Sequence, residues 1–74
     1  MSMKILVECY SGYRADERPT AFTMGRQRLE IEEIIDRWYD PAWTYFKVRT
    51  GDSSIHIIRR SEECGEWELT MYRK

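Results

Sequence analysis

A chain of 74 residues has room for one domain and no more. Hydrophobic residues make up 42%, aromatics 14%, and the net charge is −1, which excludes a disordered polyelectrolyte and counts against a dedicated nucleic-acid binder, though not against a local basic patch. The apolar run in MSMKILVECY is too short for a signal peptide or a membrane span, so a cytoplasmic location without membrane contact is expected.

In KILVECY, residues 4–10, Ile5, Val7 and Cys9 share one face while Leu6, Glu8 and Tyr10 share the other. Apolar and β-branched residues at period two predict a strand. SGYRADERP follows as a loop, marked by Gly12, mixed charges and Pro19. TAFTMGRQRLEI reads as a hairpin with Phe22 and Met24 on one face before the turn, and Leu29 and Ile31 on one face after it. Gly25-Arg26 fits a two-residue type II′ turn, which needs positive φ at its first central position.

RLEIEEIIDRWYD carries two patterns. Ile31, Ile34, Ile35 and Trp38 are spaced like a helical stripe, whereas Leu29 and Ile31 alternate like a strand. An extra residue at Glu32-Glu33 would reset the alternation as a β-bulge does. The β-forming composition and the lack of a cap favour a long bent strand; the alternative is a helix near residues 29–39 and an α+β fold. Asp40-Pro41 ends the element. Three further strands follow as a meander: TYFKVRT; SIHIIRR, with Ile55 and Ile57 set against His56 and Ile58; and EWELTMY, with Trp67, Leu69 and Met71 on one face. GDSS and SEECGE supply the turns, with Gly65 suited to a left-handed position. Five to six short strands predict an all-β fold, a small SH3-like antiparallel barrel or roll. Trp38 and Phe46 are expected in its core, while the direction of Trp43 is left open.

Catalytic patterns are sparse. His56 is the only histidine and reads as a surface residue on a strand. Cys9 and Cys64 lie far apart, form no CxxC, and read as buried free thiols. Glu30, Glu32, Glu33, Asp36 and Asp40 alternate with apolar residues as a solvated face does, and there is no phosphate-binding glycine loop. Neither an enzyme, a metal nor a cofactor is expected. Asp36, Arg37 and Trp38 form either a charge-paired corner or a recognition surface, since Arg, Trp and Tyr are enriched in binding hot spots. The candidate binding residues are Arg26, Asp36, Arg37, Trp38, Trp43, Tyr45, Lys47 and Arg49. In a protein-binding module, Arg37, Trp43 and Tyr45 would form the contact surface, with Trp43 exposed beside an arginine. In a nucleic-acid accessory domain, Arg26, Arg28, Arg37, Lys47 and Arg49 would converge on one face.

RPTAF, GR, IEEIIDRW, YFKV and GEWEL together resemble a family of small, uncharacterised bacterial all-β proteins. The resemblance runs from Arg18 to Leu69 through Arg18, Pro19, Phe22, Gly25, Arg26, Ile34, Asp36, Arg37, Trp38, Phe46, Val48 and Trp67. It implies an all-β domain of unknown function and a loose link to DNA repair through neighbouring lesion-bypass polymerase genes. It carries over no catalytic residues.

Overall fold

Period-two alternation becomes strand wherever the sequence offered it. The computed structural model describes residues 3–10 and 18–73, with side chains as far as residue 71. Most of the expected loop SGYRADERP lies outside the described residues, but Arg18 and Pro19 already belong to a strand. Six strands occur among the described residues: β1 (Met3–Tyr10), β2 (Arg18–Met24), β3 (Gln27–Tyr39), β4 (Trp43–Thr50), β5 (Ile55–Ser61) and β6 (Trp67–Arg73). Each pairs antiparallel with the next, and β6 returns to β1, closing a small SH3-like barrel. The closing seam is short: Met3 with Leu69, Lys4 with Glu68, and Ile5 with Trp67.

Local chemistry sets the turns. Met24 pairs with Gln27 across Gly25-Arg26, and Gly25 has φ 63° while Arg26 keeps a negative φ, the type II′ signature. In the GDSS turn the left-handed position falls on Ser53, φ 68°. Asp52 stabilises that turn by accepting hydrogen bonds from the Thr50 hydroxyl at 2.5 Å and the Ser54 N–H at 3.2 Å. Gly65 takes φ 76°, as its sequence context predicts.

The segment with two patterns is strand, not helix. β3 runs 13 residues because residues 27–30 pair with β2 and residues 31–39 with β4, and against residues 44–50 of β4 it carries two extra residues. Ile31 pairs with Thr50 and Glu33 with Arg49, leaving Glu32 as the first bulge; Ile34 pairs with Val48 and Asp36 with Lys47, leaving Ile35 as the second. One bulge alone would point Trp38 inward. The second reverses the parity again, so Arg37 takes the inner row opposite Phe46, and Trp38 faces out opposite Tyr45. The expectation of Trp38 in the core is thereby corrected; that of Phe46 holds.

Phe22, Phe46, Val48 and Ile58 form the centre of the core, with Ile5, Leu29 and Leu69 around them. Full burial of one such side chain is worth about 1.5–3 kcal/mol, so in a domain this small each is a large share of stability. β5 has the opposite facing from the one expected. His56 and Ile58 point inward and are fully buried, while Ile55 and Ile57 are half-exposed outside. The His56 ring meets Phe22 edge-on at 5.1 Å. A bulge at Thr70 likewise turns Met71 outward, opposite Ile57. Cys9 is half-buried and Cys64 exposed, correcting the expectation of two buried thiols.

Candidate functional site

The two bulges of β3 assemble an aromatic and basic surface on the outside of the barrel. Cross-strand partners share a face, so the register gives two rows across β3, β4, β5 and β6. One row runs Trp38, Tyr45, Arg59, Glu68; the next runs Asp36, Lys47, Ile57, Met71. Trp38 lies flat on Tyr45, with centroids 5.3 Å and planes 4° apart. Trp38 remains 37% exposed, Met71 38% and Ile35 43%, so large apolar side chains reach solvent along this band from β3 to β6. Such clusters, rimmed by charge, mark contact surfaces.

Trp43 extends this surface. It lies on the outer face of β4, half-buried beneath the Arg59 guanidinium, which sits 3.8 Å from its ring centroid. Arg59 is held there by Glu68, whose Oε1 accepts from Nη2 at 2.7 Å and Nε at 3.1 Å. The Glu68 hydrogen bond keeps Arg59 more firmly charged than usual, against a smaller opposing cost of burial. The turn before Trp43 is fixed by Asp40, whose Oδ1 accepts from the N–H groups of Ala42 at 2.9 Å and Trp43 at 2.7 Å. Desolvation pushes the Asp40 carboxyl up, but these two N–H groups, the Tyr45 hydroxyl and Arg59 together hold it below its ordinary range.

Six candidate residues therefore share the outer face: Asp36, Trp38, Trp43, Tyr45, Lys47 and Arg49. Two do not. Arg26 sits in the exposed β2–β3 turn. Arg37 occupies the inner row with its guanidinium 5.0 Å from the Phe46 ring, so the arginine beside Trp43 is Arg59 and not Arg37. Arg49 pairs with Glu33 at 3.0 Å, and Arg28 forms a two-point contact with Glu8 at 2.6 and 3.0 Å. Arg26, Arg28, Arg37, Lys47 and Arg49 thus do not converge. Arg59, Ile57 and Met71 escaped sequence reasoning because β5 was read with its faces exchanged and the β6 bulge left no signal.

The β3–β4 and β5–β6 turns meet at one end of the barrel, where the Glu62 N–H donates to the Ala42 carbonyl at 2.9 Å. Between them lies a cleft of 620 Å³ walled by Pro41, Ala42 and Trp43 on one side and Glu62, Glu63 and Glu66 on the other. Glu62 accepts from the Thr44 hydroxyl and from Arg60 at 3.3 Å, which hold its carboxyl below the usual range. Among the described residues, no three His, Cys, Asp or Glu side chains are grouped to hold a metal, and no helix is long and apolar enough to cross a membrane. No family model, curated protein or solved structure matches the chain.

Proposed function

We propose that this protein is a non-catalytic binding module that holds a protein partner against the outer face of β3–β6. The observation that carries the reading is the grouping of the Trp38–Tyr45 stack with Ile57, Met71 and Lys47 on one exposed sheet face. Aromatic and Met side chains of this kind gain most from being covered, and a flanking lysine adds orientation rather than affinity. The module works in the cytoplasm, where the thiols of Cys9 and Cys64 stay reduced. The resemblance to small bacterial all-β proteins belongs to the same proposal, and a link to DNA repair goes with the alternative, a nucleic-acid-associated accessory domain.

Affinity capture from native extract, with and without nuclease, tests the reading. Wild-type protein retains a partner after nuclease treatment, and the Trp38→Ser/Met71→Ser variant loses it while keeping its melting transition. Capture that disappears with nuclease would instead favour the nucleic-acid reading, and capture indifferent to both substitutions would place the contact elsewhere.

A further inference from the structure

The turn-end cleft has a charge and a shape of its own. Three of the residues lining it are glutamates and none is basic. Glu62 is committed to Arg60 and Thr44, and Glu66 lies 3.4 Å from the exposed Lys4 ammonium. Glu63 has no ion pair among the described residues. Trp43 lines the same cleft. Arg59 lies over that ring but takes no part in the cleft wall, so the residue that lines the cleft is Trp43 alone of the two.

Resting on the reading above, we infer that this cleft receives a lysine or arginine side chain from a basic segment of the partner protein. A cation there meets carboxylates at its head and an aromatic ring along its stem, the two environments that long basic side chains need together. The contact of Arg59 with Trp43 shows that this indole accepts a guanidinium at van der Waals distance. Pro41 and Ala42 add apolar wall for the methylene groups. An acidic side chain entering the same space would face the Glu63 carboxylate with no basic residue in the lining, since Arg60 and Lys4 are already engaged by Glu62 and Glu66. The walls are set before binding: Asp40 fixes Ala42 and Trp43, the Glu62 N–H ties the two turns together, and the Ser61 hydroxyl oxygen accepts from the N–H groups of Glu63 and Cys64, both at 3.2 Å. Little ordering is left to be done when the ligand arrives, which favours affinity for a single side chain.

The test is an NMR titration of the full chain with two synthetic decapeptides, one alternating Lys and Ser, the other Glu and Ser. The Lys peptide shifts the Trp43 indole N–H and the amides of Glu62 to Gly65, saturably, and binds more weakly as salt is raised. Glu63→Lys weakens it by about tenfold or more, and Glu63→Gln by less. Both variants keep the dispersed amide spectrum, since Glu63 is exposed and unpaired among the described residues. Equal shifts from the Glu peptide, shifts confined to other parts of the barrel, or none at millimolar peptide would overturn the inference. The two proposals fail separately. A captured partner that tolerates Glu63→Lys but not Trp38→Ser/Met71→Ser sinks the cleft and keeps the outer face. A Lys peptide that maps to the cleft when no partner is captured does the reverse.

Discussion

Trp38 stacks on Tyr45 across the β3–β4 ladder, at 5.3 Å and nearly parallel. Both rings sit on the outside of the barrel, so their contact is separable from the core. A double-mutant cycle with Trp38→Ala and Tyr45→Ala should give a coupling of about 0.5–1.5 kcal/mol in urea denaturation. Strict additivity would mean that the rings are neighbours without being partners.

Arg59 links Trp43 to Glu68. Arg59→Ala uncovers the indole and removes the two-point contact with the half-buried Glu68, with an expected loss of about 1–3 kcal/mol. Arg59→Lys recovers less than half, because an ammonium cannot lie flat on the ring while meeting Glu68. The Trp43 indole NMR signal should move in both variants. If Arg59→Lys is as stable as wild type, the planar contact contributes nothing.

His56 is fully buried, and its loss of water lowers its pKa against a weaker opposing pull from the Asp52 charge. The unfolded chain then binds a proton near the ordinary value of 6.5 that the native protein refuses. Stability therefore falls as pH drops below about 6.5, in a window still above most carboxylate titrations. Urea midpoints measured from pH 7.5 down to about pH 5 should decline in wild type and stay nearly flat in His56→Leu. A flat wild-type profile would contradict a buried neutral imidazole.

Glu32 and Ile35 are the two surplus residues of β3. Deleting Ile35 removes a bulge but leaves Arg37 opposite Phe46 and Trp38 opposite Tyr45. Deleting Lys47 from unbulged β4 exchanges the faces of every later residue in that strand. The first deletion should keep a cooperative melt and a dispersed NMR spectrum; the second should lose both. Equal tolerance of the two would show that register is not fixed by the core.

Much of this fold was legible because β1 and β4 obey a single alternation from end to end, as Ile5, Val7, Phe46 and Val48 show, while β2 keeps it around Phe22 and slips by one residue at Thr20. The turns were legible for a different reason: Gly25 and Gly65 sit where the backbone needs positive φ. What escaped was parity after a bulge. A bulge adds no distinctive residue type, so two of them in β3 looked like one, and Trp38 was placed on the wrong side. In IHII, apolar residues fall on both faces, and period two alone cannot say which is buried. That one ambiguity hid Arg59 and with it the actual neighbour of Trp43. The candidate surface was thus half visible: its β3 and β4 residues came from composition, its β5 and β6 residues only from register.

The three-pair seam between β1 and β6 has a temporal meaning. Met3 and Leu69 are joined in space but far apart in synthesis. At roughly 5–20 residues per second, their translation is separated by several seconds at least. Throughout that interval the edge of β1 that β6 will occupy has no strand to pair with. The barrel cannot close before β6 has been made, which makes the elongating chain, rather than the closed domain, the form most exposed to unwanted strand pairing.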